Sequence, residues 1–464
     1  MQSEDHSLSR HGRALAYFAV AAGVVFLWTF DIRNYPQVTF DEGGWNMGAK
    51  SLIEYGHLLA VGRPIMLVSL SYQAVATAFF SIFGTGLIQA RMISGTAGLL
   101  TCLALYHAAR NHDWPTRFLS VVFLASMVLF LQFSRLAVIE PFATAMLTAS
   151  ACVLLRGTRR SGIWAGLLFG AALLAKPTNL FFAGPLLAWG VTVTYWNSKH
   201  ESNETFGALH RSLWCLVTGI TIGAATHLAL FAIYQDAYLG AWTQEMNLPS
   251  GYEGFRIGRF GLNFAAMART SWWFFMHTFP AVLFVPFGVY ATIRNRDKTG
   301  LLMGLWFLGG LGFLFTQVYQ FTRYLLNLGP PLAFFTATGY IMILRFARAR
   351  FPNLGVLKTH LAWIPAAGVV LFSLALFGYS WHHNRSEDYS RFMTWVKQNI
   401  ETDKNHRLAG ANYVVLGYPG KILTFHAVGA PALMNNWGIT PEIADDHNIA
   451  YLAYSSNVPF DDPF

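Results

Sequence analysis

The chain has 464 residues, of which 54% are hydrophobic and 12% are charged, and its mean hydropathy is +0.39. Soluble domains carry about 25% charged residues, so this composition excludes an ordinary soluble globular protein and indicates a polytopic membrane protein. The formal net charge of +9 is typical of basic cytoplasmic loops in such proteins, and we expect no nucleic-acid partner.

Apolar runs of about 20 residues, enough to cross a bilayer core, recur from Ala14 to Trp381. We expect about eleven crossings, at residues 14–30, 87–107, 117–133, 141–155, 163–175, 178–196, 212–234, 272–293, 301–316, 325–344 and 361–381. A further run at 66–83 is long enough to cross, but it contains Ser69, Gln73, Thr77 and other polar residues.

Charge placement decides how 66–83 is interpreted. If this run does not cross, every short loop on the side of the N-terminus is basic, with Arg110, Arg117, Arg156, Arg159, Arg160, Lys199, Arg211, Arg294, Arg296, Lys298, Arg345, Arg348, Arg350 and Lys358. Lys and Arg accumulate in cytoplasmic loops. We therefore expect the N-terminus inside and 66–83 lying along or dipping into the outer leaflet.

The segment 382–464 is more polar than the rest of the chain. Helical spacing at 390–400 and short apolar stretches at 411–416 and 449–454 predict a small α/β domain on the outer side. The expected fold class is therefore an all-α membrane bundle at 1–381, with juxtamembrane helices on its outer face, followed by this small domain at 382–464.

An acid pair, Asp41 and Glu42, follows the first apolar run. The next residues predict an amphipathic helix on the membrane surface, through Trp45, Met47, Ala49, Leu52 and Ile53. Asp41 would then lie near the N-cap, where a carboxylate is favoured. Solvated loop charge is the simpler interpretation. A cap explains one acid but not two, so a catalytic carboxylate stays the alternative.

Two further sites carry ionisable residues at predicted helix ends. Arg135 and Glu140 lie between two apolar runs, where they form either an ion pair in a tight turn or a carboxylate facing a cavity. Lys176 precedes Pro177 and has no acid close in sequence. It either snorkels to the interface or binds a phosphate.

The long loop 235–272 carries Arg256 and Arg259 among glycines and aromatic residues. This pattern suits a mobile clamp over an anionic ligand, or an ordinary interfacial loop. Arg323 and Tyr324 precede a predicted helix, and Arg323 can meet lipid headgroups there. All these groups fall on the predicted outer face. Together they suit transfer from a lipid phosphate, with a carboxylate deprotonating a hydroxyl and cations stabilising the departing phosphate.

Motifs in a fixed order along the chain carry a resemblance to a known family. They are Asp41-Glu42-Gly43, Gly62-Arg63-Pro64, Ala90-Arg91, Arg135 with Glu140-Pro141, Ala175-Lys176-Pro177, and Arg323-Tyr324-Leu325 with Pro330-Pro331. Over residues 14–345 the chain resembles the GT-C superfamily. Within it, the likeness is to bacterial relatives of protein O-mannosyltransferases and to the aminoarabinose transferase of lipid A.

The resemblance implies an inverting glycosyltransferase of the bacterial inner membrane that takes a polyprenyl-phosphate-linked sugar donor on the periplasmic side. It implies Asp41 as the base, Glu42 as a residue that places substrate, and Glu140 as the acid of the second loop. Lys176, Arg256 or Arg259, and Arg323 would hold the phosphate, while Arg63, Arg135 and Tyr324 are further cavity residues.

Two positions depart from the family pattern. The second-loop acid, often Asp in relatives, is Glu140, and the stretch around Arg63 lacks the Glu-Lys pair expected of an aminoarabinose transferase. The sugar, the acceptor (lipid, glycan or protein) and any divalent cation stay open, and no cofactor or metal-ligand set is assigned. A membrane transporter and a non-catalytic member of the same fold are the alternatives.

Overall fold

The computed structural model describes residues 10–36, 40–56, 69–158, 160–199, 207–246, 264–315, 322–351, 360–385, 413–416 and 449–453. Its helices are α1 (Arg10–Thr29), α2 (Phe40–Tyr55), α3 (Leu70–Phe83), α4 (Leu87–Ala108), α5 (Trp114–Ser126), α6 (Val128–Phe133), α7 (Ile139–Leu154), α8 (Ser161–Ala175), α9 (Ala183–Ser198), α10 (Gly207–Met246), α11 (Phe264–Thr278), α12 (Val285–Asn295), α13 (Lys298–Phe315), α14 (Gly329–Arg350) and α15 (Ile364–Asn384). Short 3₁₀ segments precede four of them, at Pro177–Phe182, Ala281–Phe284, Thr322–Leu328 and His360–Trp363. The predicted helical class is confirmed.

Among the described residues, five helices are long and apolar enough to cross a membrane. They are Leu87–Ala108, Gly207–Asp236, Lys298–Phe315, Thr322–Arg350 and Ile364–Asn384. A sixth candidate is the pair Met267–Thr278 and Ala281–Asn295, which is bent by 97°. Other apolar helices are shorter, as at Ile139–Leu154 and Ser161–Ala175. The count of about eleven crossings therefore stays a prediction.

The helices α8 and α10 pack at very close range because small residues line their contact. Gly162, Gly166 and Gly170 recur every four residues along one face of α8. A Cβ added at Gly166 would lie 2.6 Å from Thr218 Cβ and 2.7 Å from the Cys215 carbonyl oxygen of α10. Small residues let membrane helices approach backbone to backbone and gain van der Waals contact.

The described contacts divide the bundle into two ends. At one end, which we call the basic end, Arg110 donates to the Leu155 carbonyl at 3.1 Å and Arg345 donates to Asp113 at 2.7 Å. The other, the site end, contains the ends of α1 and α15, the start of α4, and the junction of α6 with α7. There Arg91 donates to the Ile32 carbonyl at 2.6 Å, and Trp381 donates to Asp31 at 3.0 Å. Every candidate site residue that the structure describes lies at the site end.

Two short strands, β1 (Tyr413–Leu416) and β2 (Ile449–Ala453), pair in parallel. Both fall within the stretches that the sequence predicts to be strands. The helix predicted at 390–400 and most of the segment 382–464 lie outside the described residues. The small α/β domain therefore stays a prediction.

Candidate functional site

The acid pair lies on α2, the helix predicted after the first apolar run. The helix begins at Phe40, so Asp41 and Glu42 occupy its first turn. A carboxylate is favoured there because unpaired backbone N–H groups give the N-terminus of a helix a partial positive charge. The structure places the backbone of Asp41 and leaves its side chain undescribed. Glu42, in contrast, is fully buried.

Glu42 forms an ion pair with Arg91 of α4. The Arg91 guanidinium donates from Nε to Oε2 at 2.8 Å and from Nη2 to Oε1 at 2.7 Å. The backbone N–H of Ala137, between α6 and α7, donates to the same Oε2 at 2.8 Å. Both side chains have no exposed surface. Because a buried carboxylate is costly unless it is paired and hydrogen-bonded, this arrangement joins α2 firmly to α4 and to the second loop.

Polar side chains of α3 fix the other side of α2. The Gln73 amide accepts from the Ala49 N–H at 2.6 Å and donates to the Trp45 carbonyl. These are the two groups that an i→i−4 helical bond would join. One turn earlier on α2, the Asn46 side chain accepts a hydrogen bond from the Tyr72 hydroxyl at 2.9 Å. The polar residues of the run 66–83 therefore position α2, which the hydropathy of that run did not reveal.

Three of the predicted residues meet in one buried cluster. Glu140, in the first turn of α7, accepts a hydrogen bond at Oε1 from Lys176 Nζ at 2.7 Å, and Arg323 Nε lies 3.2 Å from the same oxygen. Glu140 is 1% exposed, and each of the two cations is 12% exposed. Two adjacent cations favour the ionised form of the carboxyl group. Lys176 has no acid close to it in sequence, and the fold brings Glu140 to it across 36 residues.

Local structure explains why these side chains converge. Lys176 is the residue at which α8 stops, since Pro177 cannot continue an α-helix without losing a backbone bond, and a 3₁₀ segment follows. Arg323 lies in the 3₁₀ segment that leads into α14. The Tyr324 ring packs under Lys176, with Nζ 3.6 Å from the ring centroid. Within the described part of the chain, Glu140 Oε2 is buried without a hydrogen-bond partner.

Arg135 is fully buried and binds backbone carbonyls at the end of α1 and in the loop that follows it. It donates to the carbonyl of Tyr35 at 3.0 Å and to those of Leu27 and Phe30. The last carbonyls of a helix have no partner within it, and Arg135 satisfies them. Burial lowers the pKa of Arg135 to about 10, so it stays protonated at neutral pH. Its described contacts hold the loop after α1, while the ion pair with Glu140 considered from sequence is absent from them.

Comparison with known proteins agrees with this architecture. Residues 68–228 match the family model described as dolichyl-phosphate-mannose-protein mannosyltransferase. ArnT from Cupriavidus metallidurans bound to undecaprenyl phosphate is similar over 82% of this chain and 72% of that chain, with a TM-score of 0.54 and 13% identity. Among the curated proteins, none matches the chain.

Two structures from Archaeoglobus fulgidus are also similar. The apo oligosaccharyltransferase matches over 98% of this chain and 62% of that chain, with a TM-score of 0.54 and 11% identity. The oligosaccharyltransferase AglB in complex with an inhibitory peptide and a dolichol-phosphate matches over 97% and 61%, with a TM-score of 0.51 and 14% identity. ArnT and AglB are both GT-C superfamily glycosyltransferases. The chain has the GT-C fold. The resemblance stated from the sequence motifs is thereby confirmed.

The remaining predicted residues of this GT-C fold are not described by the structure. Arg63, Arg256 and Arg259 lie outside the described residues, and their roles stay predictions. In the described ranges, no group of three or more His, Cys, Asp and Glu residues is arranged to hold a metal ion. Arg91 appeared in the sequence motifs without a role. Its signal was a lone arginine inside an apolar run, where an ionisable group requires a partner.

Proposed function

We propose that the protein is an inverting glycosyltransferase that moves a sugar from a polyprenyl-phosphate-linked donor to an acceptor hydroxyl on the outer face of the membrane. The observation that carries the proposal is the buried cluster of Glu140, Lys176 and Arg323 at the site end of a GT-C fold. Ionisable residues that face the interior of a membrane bundle usually mark substrate or ion sites.

Lys176 and Arg323 supply the phosphate-binding charge in this proposal. Lysine and arginine form charge-assisted hydrogen bonds to phosphate oxygens, and here both reach one point from separate segments. As the sugar–phosphate bond breaks, the leaving phosphate gains negative charge, and cations already in place stabilise it without reorganising. Arg256 and Arg259 of the long loop are further candidates for the same phosphate.

Asp41 is the proposed base. The acceptor hydroxyl loses its proton to the Asp41 carboxylate, its oxygen bonds to the anomeric carbon, and the bond to the phosphate oxygen breaks with its electron pair leaving on the phosphate. A single displacement of this kind inverts the anomeric centre. Glu42 is less suited to the role, because Arg91 and the Ala137 N–H occupy both of its oxygens. Glu42 positions α2 instead, and Glu140, whose Oε2 has no hydrogen-bond partner among the described residues, is the next candidate for the base.

The outer location rests on charge. The basic end carries the arginines and lysines of many short loops, such as Arg110, Arg156 and Arg345. The positive-inside rule then places the site end on the extracytoplasmic side. We propose the bacterial inner membrane as the location, with the site facing the periplasm and the segment 382–464 on the same side.

The base is tested with Asp41→Asn, which keeps the shape of the side chain and removes its basicity. General base catalysis contributes typically about 10²–10⁴-fold, so we expect turnover to fall by roughly 10²-fold or more, with binding of undecaprenyl phosphate retained. Glu54→Gln, near the other end of α2, is the matched control. Near-normal turnover of Asp41→Asn with the native donor and acceptor would transfer the role to Glu140.

Phosphate binding is tested with Lys176→Ala. Hydrogen bonds to charged groups contribute about 1.5–3 kcal/mol, so the affinity for undecaprenyl phosphate should fall by roughly 10- to 150-fold, with the acceptor KM unchanged. Lys199→Ala is the control, since Lys199 also packs on a tyrosine ring, that of Tyr195, but at the basic end. An unchanged affinity in Lys176→Ala would show that this lysine does not hold the phosphate.

A further inference from the structure

A second, uncharged layer lies beside the cluster of Glu140, Lys176 and Arg323. Thr144 Oγ1 donates to Asn327 Oδ1 at 2.5 Å, and Asn327 Nδ2 donates to Asn179 Oδ1 at 3.4 Å. Asn179 Nδ2 in turn donates to the Ala172 carbonyl of α8 at 2.8 Å. Thr144, Asn179 and Asn327 are all buried. We call these three residues the amide chain.

Each member of the amide chain follows one member of the charged cluster by about one helical turn. Thr144 comes four residues after Glu140, Asn179 three after Lys176, and Asn327 four after Arg323. Thr144 lies on the same face of α7 as Glu140, Asn179 accompanies Lys176 at the start of the 3₁₀ segment 177–182, and Asn327 shares the 3₁₀ segment 322–328 with Arg323. The charged cluster and the amide chain therefore connect the same three segments.

Every hydrogen bond in the amide chain runs in one direction, from α7 through the 3₁₀ segment 322–328 to the 3₁₀ segment 177–182 and α8. Asn327 uses its carbonyl oxygen toward Thr144 and its NH₂ group toward Asn179. An aspartate could not donate, and an apolar side chain could do neither. The amide chain thus requires a donor at Thr144, a side chain that both accepts and donates at Asn327, and an acceptor at Asn179. Burial of the three residues alone would not produce it.

The two cations need such support because of where they are attached. Lys176 and Arg323 are carried at or within short 3₁₀ segments, whose hydrogen-bond geometry is poorer than that of an α-helix. Both side chains are also long and lose conformational entropy when they are fixed in place. A displacement of about 1 Å in a substrate-binding group can cost about 10²-fold in rate.

We infer that Thr144, Asn179 and Asn327 are positioning residues that hold Lys176 and Arg323 at the spacing required by a lipid phosphate. The inference rests on the proposed function, because it assigns to the amide chain a role in binding that donor. It goes further by naming residues that touch neither the phosphate nor the reacting atoms and yet set the affinity for the donor.

The test is Thr144→Val, which keeps the shape and removes the hydroxyl that joins α7 to Asn327. Dissociation constants for undecaprenyl phosphate are measured on the full-length protein in detergent, together with the KM for donor and for acceptor. We expect donor affinity to fall about 5- to 30-fold, the range set by one or two kcal/mol, with the acceptor KM unchanged. Thr144→Ser, which restores the hydroxyl, should recover most of the affinity.

Thr148→Val is the matched control, because Thr148 is an equally buried threonine one turn further along α7. Among the described contacts, its hydroxyl bonds only to the Thr144 carbonyl of its own helix. If Thr144→Val and Thr148→Val bind the probe equally well, the positioning role is refuted. Should Thr144→Val prove too unstable to purify, Asn327→Leu replaces it and the same comparison decides.

The result for Lys176→Ala separates this inference from the proposed function. A loss of phosphate affinity in Lys176→Ala with none in Thr144→Val overturns only the role of the amide chain. Unchanged affinity in both variants overturns the phosphate site itself. A loss in both, with rescue by Thr144→Ser, supports the inference.

Discussion

The buried ion pair between Glu42 and Arg91 should make Glu42→Gln a stability variant and not primarily a catalytic one. The substitution preserves the shape of the side chain but leaves the Arg91 charge without a counter-ion. It also replaces one accepting oxygen by an NH₂ group, which then faces another donor, either the guanidinium or the Ala137 N–H. Breaking a buried pair by removing one partner costs about 3–5 kcal/mol. Arg91 keeps its bonds to the Ile32 carbonyl at 2.6 Å and the Pro36 carbonyl at 2.9 Å. We therefore expect a loss near the lower value, about 3 kcal/mol.

A loss of about 3 kcal/mol lowers the ratio of folded to unfolded protein by roughly 150-fold. It can be measured by denaturant titration in mixed detergent micelles. The control is Arg345→Gln, because the Arg345 side chain is 66% exposed where it meets Asp113. Exposed pairs contribute about 0–1 kcal/mol. In a double-mutant cycle, Glu42→Gln with Arg91→Gln should cost less than the sum of the two single changes.

The opposite pattern would refute this reasoning. If Glu42→Gln unfolds at the same denaturant concentration as the wild type while turnover falls by roughly 10²-fold or more, the ion pair does not hold α2 in place. Glu42 would then act on the substrate directly, and the assignment of the base to its neighbour Asp41 would have to be reconsidered.

Two further predictions concern packing and topology. Gly166→Ala should destabilise the protein by about 1–3 kcal/mol through overpacking against α10. The control is Gly223→Ala, which has nothing within 4 Å of the added Cβ and should be neutral or stabilising by up to about 1 kcal/mol. Equal unfolding midpoints of the two variants would contradict the close α8–α10 contact. A reporter fused after Phe464 should be active only on the extracytoplasmic side, as the basic loops predict, and a protease-protected cytoplasmic reporter would invert the topology.

The helical class and the members of the candidate cluster could be predicted from the sequence because both leave local signals. Long apolar runs indicate membrane helices. Ionisable residues at the ends of those runs stand out against them, which singled out Glu140, Lys176 and Arg323. The contact between Glu140 and Lys176 could not be predicted, because 36 residues separate them and no pattern encodes which helix ends meet.

Other parts of the site carry no local signal. The role of Arg135 depends on backbone carbonyls at the end of α1, and backbone groups are the same in every sequence. In the sequence, Gln73 is a polar residue that argues against a membrane crossing at 66–83. In the structure, its amide bridges the Ala49 N–H and the Trp45 carbonyl of α2. Asn179 and Asn327 are single polar residues in apolar surroundings, and only the fold brings them together.

The loop after α1 has consequences for the order in which the chain matures during synthesis. Arg91 reaches this loop from 59 residues away, and Arg135 from about 100, whereas Trp381 binds Asp31 across 350 residues. At about 5–20 residues per second, the last of these contacts becomes available roughly 20–70 s after Asp31 is made. The loop therefore matures in stages, with its two arginine contacts formed long before α15 arrives. A ribosome-bound chain stalled before α15 should already hold the start of α2 in place, while the side of the loop that Trp381 covers is still open.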